Sequence, residues 1–264
     1  MTIAPLLDEF VAWFFENHPV AASGLGAEGF DDELGDFSAE GVRAREAGRN
    51  RWLDRFTAVD GELDLDDGID RDLLVAMLRG EQLLSDWPAW RRDPGAYLGP
   101  VFSALYTPFL YRLRPDAKLA ASAVERLRQV PDVLAACRAN LDPGLASPLV
   151  VRRALRQAQA GRQFVTAGLP AEVDDEALRS KLLDAAEPAA EAFDATVAFL
   201  TELAERATGD WRMGEQRYSA LLRERELLDF DAAELHRRGL AAWTELDAEM
   251  RELAARVDGG SDHW

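Results

Sequence analysis

The sequence has very few of the residues that build disulfides and metal centres. Its 264 residues include one cysteine, Cys137, so no intrachain disulfide can form and we expect a reducing, cytoplasmic location. The three histidines, His18, His236 and His263, are far apart, and no HExxH motif occurs. Because zinc takes three or four protein ligands, we expect no metal site and no cofactor in this chain.

Motifs for nucleophilic and phosphate chemistry are also lacking. There is no G-x-S-x-G elbow and no P-loop. Gly24, Gly26 and Gly29 spell G-x-G-x-x-G, but no strand precedes them and no helix opens from them. Cys137 lies among small apolar residues in a helical pattern, which is typical of a buried side chain. We therefore assign no catalytic residue.

Positive charge is scarce as well. Lys and Arg number 30 against 48 Asp and Glu, for a formal net charge of −18. Nucleic-acid binding requires a basic surface, so we exclude a nucleic-acid partner. No apolar run approaches the ~20 residues that a membrane helix needs, and the N-terminus has no basic leader. We expect no membrane partner and no signal peptide.

Helix-forming residues are what the sequence has in excess, since Ala, Leu, Arg and Glu dominate it. No segment has a convincing strand pattern. We predict an all-α fold, an irregular multi-helix bundle of about nine to ten helices without significant sheet, in a single domain over 1–264. The predicted helices cover 2–17, 39–59, a stretch that leads to Trp87, 101–113, 116–130, 132–140, 148–166, 175–207, 215–228 and 232–257.

Several boundaries rest on local signals. Ser38 and Ser147 are predicted N-caps, and Asp66 or Asp67 is expected to cap the helix that leads to Trp87. That helix is predicted to bury one face, which contains Ile69, Leu73, Met77, Gly80, Leu84 and Trp87. Residues 19–37 are predicted to form a loop.

Proline residues and the last helix give two further expectations. Pro131 is predicted to separate two helices. In the last helix, apolar residues recur in steps of four and three, which is the pattern of a heptad seam or of a face directed at a core. We favour the core-facing interpretation for this face, which consists of Leu235, Gly239, Trp243, Leu246, Met250, Leu253 and Val257.

Two features are candidate ligand or partner surfaces. The first is aromatic: Trp87, Trp90, Tyr97 and Tyr106 lie in a segment rich in Pro and Gly. Such residues line ligand clefts, but a core cluster that holds irregular loops is the interpretation we favour.

The second feature is basic. Residues 143–171 contain Arg152, Arg153, Arg156 and Arg162 and no acidic residue. Guanidinium groups at this spacing can receive a carboxylate or phosphate. Ion pairing with acidic helices of the same fold is the alternative that we favour.

Five segments carry a family resemblance. They are His18-Pro19 with Ala21-Ala22 and Gly24-Leu25-Gly26; Ile69 to Leu74; Arg92-Asp93-Pro94 with Tyr97-Leu98; Arg126-Leu127 through Pro131 to Ala139-Asn140-Leu141; and Gly214 with Tyr218, Leu221 and Leu222, followed by Glu234-Leu235-His236 and Gly239-Leu240. In this order they resemble a bacterial domain-of-unknown-function family, number 885, which belongs to the zincin-like metallopeptidases.

The resemblance implies a helical fold and a position as one wall of a substrate cleft. Members of that family are longer, and their second half is expected to carry a His-Glu pair on a helix and a Pro-Gly-His-His segment. Zinc is expected only with that second half, because nothing in this chain matches either motif. The resemblance therefore implies that the chain corresponds to the N-terminal part of a larger zincin-like fold, and we expect it to carry no family ligand.

Three functional hypotheses remain open. The first is the N-terminal, cleft-wall portion of a zincin-like metallohydrolase, inactive alone, whose partner is a missing C-terminal catalytic half or a second copy in a homo-oligomer. It predicts a large apolar surface left uncovered, involving residues 87–111. The second is a self-sufficient helical binding or scaffold protein without catalysis, with all apolar faces covered. The third is an enzyme that uses the arginines near Arg152 and a nearby carboxylate.

Overall fold

The computed structural model describes residues 2–257 and contains no β-strand in that range. Eleven α-helices make up most of it, so the predicted all-α fold is confirmed. In chain order they are α1 Ala4–Asn17, α2 Pro19–Gly24, α3 Ala39–Thr57, α4 Leu65–Leu83, α5 Ala89–Arg92, α6 Gly95–Tyr111, α7 Asp116–Asn140, α8 Pro148–Gln163, α9 Glu176–Arg206, α10 Glu215–Glu224 and α11 Ala232–Val257. The short α2 lies in the predicted 19–37 loop, and the short α5 lies in a segment for which no helix was predicted.

The N-caps agree with the sequence in α3 and α8 but not in α4. The side chains of Ser38 and Ser147 accept hydrogen bonds from backbone amides in the first turns of α3 and α8, as predicted. In α4 the N-cap is Asp64 instead of Asp66 or Asp67, and its side chain accepts from the amide of Asp67 at 2.9 Å. The cap places Asp67 inside the first turn, where its charge favours the helix dipole.

Pro131 does not end a helix, contrary to the prediction. α7 is continuous, with Pro131 inside it. Proline in a helix interior costs about 3 kcal/mol or more, because it removes a hydrogen bond and crowds the preceding turn. Leu127 and Leu134 are buried on either side of it, so both halves of α7 are held in the same core. Tertiary packing therefore outweighs the local penalty.

The main core is built around α9, which packs along both α7 and α8. Its buried face mixes small and large side chains: Leu182, Ala185, Ala186, Ala189, Ala190, Phe193, Leu200 and Leu203. The alanines bring the helix backbones close together, and the leucines and Phe193 fill the remaining space. Gly161 of α8 lies directly against Phe193, because a Cβ added to it would be 2.3 Å from a ring carbon.

A second, smaller core joins α1, α3 and α4 through aromatic side chains. Phe10 is its centre, with edge-on contacts to Trp52 at 5.4 Å and Phe56 at 5.5 Å between ring centroids. Gly48 of α3 leaves room for Trp13, whose ring would be 2.5 Å from an added Cβ. Trp52 and Phe56, one turn apart on α3, are both buried in this cluster.

The segment between α2 and α3 is irregular, yet polar side chains of α7 hold it. A side chain that hydrogen-bonds to loop backbone satisfies N–H and C=O groups that have no partner in a helix or sheet. These contacts run from Arg126 to the carbonyl of Phe30, from Gln129 to the carbonyl of Asp32 and the amide of Leu34, and from Asn140 to the carbonyl of Phe37.

The prediction for the buried face of α4 is wrong in the first half of the helix. Ile69 and Leu73 are exposed, whereas Leu78 is buried in the aromatic cluster. The face that packs is therefore rotated away from the one that the apolar spacing indicated.

The predicted core-facing role of the last helix is also wrong. Within the described residues α11 buries no side chain. Trp243 is 64% exposed, Leu246 is 59% exposed, and Met250 and Leu253 are each 42% exposed. The face defined by Trp243, Leu246, Met250, Leu253 and Val257, here called the α11 stripe, is thus apolar and uncovered. None of the helices in residues 2–257 has both the length and the apolar character needed to cross a membrane.

The contact between Gly161 and Phe193 predicts a stability effect. Gly161→Ala should lower the free energy of unfolding by about 1–3 kcal/mol, because the buried Phe193 ring must shift to admit the methyl group. Gly239→Ala is the matched control: its Cβ meets nothing within 4 Å, so helix propensity should leave stability unchanged or raise it by up to about 1 kcal/mol. Urea unfolding curves measure both, and equal midpoints for the two variants would contradict the packing described.

Candidate functional site

Three of the aromatic candidates line one open cleft of about 400 Å³. Trp87, Trp90 and Tyr97 lie beside charged residues of α3 and α4. The ion pair of Arg49 with Glu81, at 3.1 Å, spans the two helices at this cleft. The sequence therefore brings part of its aromatic segment together with charged groups, which is an arrangement suited to a polar or ionic ligand.

Trp87 is covered by cations. The guanidinium carbon of Arg92 is 3.3 Å from the ring centroid, and that of Arg217 is 5.2 Å away. Burial and the nearby Arg217 charge both lower the pKa of Arg92, which also donates to the carbonyl of Asp210 at 2.9 Å. The cation–π contact of Arg217 joins α10 to Trp87, and the hydrogen bond of Arg92 joins α5 to the segment before α10. Trp87 itself is half-buried.

Tyr97 is a buried structural residue. Its hydroxyl donates to the carbonyl of Trp90 at 2.7 Å and accepts from the amide of Asn140 at 2.9 Å. Burial raises the pKa of Tyr97 to about 12, so it stays neutral at physiological pH. It ties α5, α6 and α7 together, as the core-cluster interpretation expected.

In this cleft, the indole N–H of Trp90 has no hydrogen-bond partner within the described residues. The indole nitrogen is buried. The guanidinium groups of Arg43 and Arg91 lie near the ring, at 6.0 and 5.9 Å. This nitrogen is therefore a buried, unsatisfied donor that is shielded from the open cleft.

Tyr106 lies elsewhere. It is 49% exposed on α6, with its ring 6.5 Å from that of Phe164, and it lines a shallow depression with Phe102. α6 carries Tyr97 and Tyr106 more than two turns apart, so the predicted aromatic cluster divides between two places.

The arginines of α8 are not equivalent. Arg153 pairs with Asp93 at 3.2 Å, and Arg162 pairs with Asp194 at 3.3 Å. Arg152 and Arg156 are exposed and make no ion pair with any part of the chain that the structure describes. Intramolecular ion pairs thus account for Arg153 and Arg162. Arg152 and Arg156, one helical turn apart, present their charges to solvent.

The described residues do not fit a zinc ion. No group of three or more His, Cys, Asp or Glu side chains within residues 2–257 is arranged to hold a metal. His18 stacks on Phe14 at 4.5 Å and its Nδ1 lies 3.1 Å from the Phe14 carbonyl. Burial lowers its pKa, while His236 is exposed on α11. His263 lies outside the described residues.

Cys137 is fully buried, as the sequence predicted. Burial raises the pKa of its thiol to about 12, so a thiolate does not form near neutrality. The side chain is a small apolar filler of the main core.

One candidate site was not predicted from the sequence. A small cavity lies between α2, α6 and α7, and the buried guanidinium of Arg126 lines it. The signal was available: Arg126 stands three residues after Ala123 and four before Val130, on the apolar face of α7. An arginine at such a position needs partners inside the protein.

Comparison with known proteins places the chain in a family. The sequence profile of a group described as bacterial protein of unknown function, DUF885, matches residues 19–263. The chain belongs to the DUF885 family. The match includes all five segments named above except His18, so the DUF885 resemblance noted from those residues is confirmed at the level of the family.

A solved structure shares the DUF885 chain's fold. It is described as "a putative lipoprotein of unknown function from Shewanella oneidensis", with a TM-score of 0.76 and 17% sequence identity. The match covers 97% of this chain and 48% of that one, so the chain spans about half the length of the solved structure. At this identity the likeness shows the fold alone. No curated protein matches the chain.

The hydrogen bonds of Tyr97 predict a measurable cost. Tyr97→Phe should lower the free energy of unfolding by about 1–3 kcal/mol, because the Trp90 carbonyl and one Asn140 N–H lose their partner. Tyr106→Phe is the control, since its exposed hydroxyl should matter by no more than about 0.5 kcal/mol. Chemical denaturation of both variants tests the difference, and a neutral Tyr97→Phe would exclude the bridging role.

Proposed function

We propose that this chain is the N-terminal helical half of a zincin-like hydrolase of the peptidase type. It forms one wall of the substrate cleft and is catalytically incomplete on its own. The observation that carries the proposal is the uncovered α11 stripe in a chain that spans half the length of a solved structure with the same fold. The zincin-like character rests on the family resemblance.

The α11 stripe supports a missing partner surface on physical grounds. Apolar side chains on a helix face gain roughly 25 cal/mol per Å² when they are removed from water, and Trp243 and Leu246 are more than half exposed. The adjacent polar face of α11 is charged, with Glu234 paired to Arg237 and Arg238. One apolar face and one charged face are what a helix at the boundary between two halves requires.

The roles of the two halves follow from ligand chemistry. Since the described residues do not fit a zinc ion, the second half would supply the metal and the general base. Residues of this half would bind and orient substrate. Arg152 and Arg156, which are exposed, would offer positive charge to a carboxylate.

A self-sufficient scaffold protein is the alternative. The closed main core favours it, because that core requires no partner to exclude water. The same hypothesis expects every apolar face to be covered, and the α11 stripe is not. The exposed stripe therefore supports the half-enzyme over the scaffold.

Charge placed in the α11 stripe tests the proposal. The chain is mixed with the separately expressed product of the downstream coding sequence, which the proposal expects to carry the His-Glu helix and the Pro-Gly-His-His segment. Trp243→Glu with Leu246→Glu should weaken association at least about tenfold, because two charges replace buried apolar contacts. Ala241→Glu with Ala248→Glu adds the same charge on other faces of α11 and should associate as the wild type does. Sedimentation velocity measures both, and also detects a homodimer.

Three results would contradict the proposal. They are one equivalent of zinc in the purified chain by elemental analysis, the absence of both motifs from the downstream coding sequence, and equal association of the two double variants. In the chain alone, the stripe substitutions should leave the unfolding free energy nearly unchanged, because those side chains are already exposed.

A further inference from the structure

The cavity between α2, α6 and α7 has a volume of about 50 Å³ and a mostly apolar wall. Val20, Pro108, Phe109 and Leu119 contribute to that wall. A cavity of this size admits a molecule of a few heavy atoms, which excludes nucleotides and long acyl chains. Its apolar wall is poorly suited to a fully polar anion.

Three charged residues line this cavity, Asp31, Arg114 and Arg126, and Arg126 is the most deeply buried of them. Its side chain is almost wholly buried, with 1% exposure. Nη1 donates to the carbonyl of Ala104 at 2.6 Å, and Nη2 donates to the carbonyl of Phe30 at 3.3 Å. Nε is buried and has no hydrogen-bond acceptor within the described residues. Burial lowers the pKa of Arg126 to about 10, so the group is still cationic at neutral pH.

No carboxylate within residues 2–257 forms an ion pair with Arg126. The neighbouring Arg114 does have a partner, since its Nε is 3.4 Å from Asp31, whose other oxygen accepts from Ser23 at 2.7 Å. Asp31 and Asp32 act on Arg126 only through longer-range attraction. A buried cation with only carbonyl partners is costly, and an anion beside it would offset that cost.

We propose that this cavity binds a short aliphatic carboxylate. The carboxylate oxygens pair with the guanidinium of Arg126, and the hydrocarbon portion lies against Val20, Phe109 and Leu119. The ligand supplies both a counter-charge and apolar contact, which matches the two kinds of surface present. This site lies within one half of the family fold, so it does not depend on the proposed hydrolase.

Butyrate is the probe, and its neutral isostere butyramide is the control ligand. Isothermal titration of the chain should show saturable binding of butyrate, at least tenfold tighter than that of butyramide or inorganic phosphate. Arg126→Met should weaken butyrate binding at least tenfold, because the cation is lost. Arg128→Met is the matched control: Arg128 is exposed on the same helix and pairs with Glu125, so its loss should not change the affinity.

A cavity-filling variant guards against misfolding of Arg126→Met. Thr107 lines the cavity from α6 and is half-buried, so Thr107→Met should occupy the space, keep the cation and still abolish butyrate binding. Circular dichroism establishes that each variant is folded. Equal binding of butyrate and butyramide, unchanged affinity in folded Arg126→Met, or no saturable binding would each overturn the proposal. The last result would leave Arg126 as a link between helix and loop backbones only.

Discussion

The close contact of α8 with α9 is the constraint on which the rest of the fold depends. Gly161 brings the backbone of α8 against the ring of Phe193, and the buried alanines of α9 allow α7 to approach on another side. With these helices fixed, α6 packs on α7 and on part of α8, and α5 joins α6 and α7. The aromatic cleft and the Arg126 cavity are both built on this frame, so neither can shift without disturbing the core.

Burial is distributed unevenly along the chain, and that unevenness bears on function. Apart from Leu34, the buried residues of the main core lie between Tyr97 and Ala207, whereas the structure buries no side chain of α11 over Ala232–Val257. A helix of this length gains little stability in water from propensity alone, and most helices in proteins are stabilised by packing an apolar face. The α11 stripe is such a face without a described partner. This exposure is the observation on which the proposed half-enzyme rests.

The sequence was informative where local chemistry decides the outcome and uninformative where tertiary packing does. Helix content, the Ser38 and Ser147 caps and the burial of Cys137 follow from residue type and neighbours. Pro131 misled because a buried core on both sides outweighs its intrinsic penalty. Apolar periodicity identified a face on α11 correctly but could not say what covers it, because periodicity reports amphipathicity and not the identity of the partner.

The candidate site also shows that spacing along the chain does not determine which residues meet in the fold. Spacing along the chain grouped Tyr97 with Tyr106, but the two point to different places on α6, and one of them is structural.

Arg126 was overlooked because a single arginine in an acidic chain is expected on the surface. Three polar side chains of α7 hydrogen-bond to the backbone of the segment after α2. They belong to Arg126, Gln129 and Asn140. Gln129 and Asn140 perform that task as neutral amides, while Arg126 adds a buried charge that carbonyl oxygens alone do not neutralise. If only a backbone link were required there, a neutral amide would serve at lower electrostatic cost, and this is the reason to look for an anion beside Arg126.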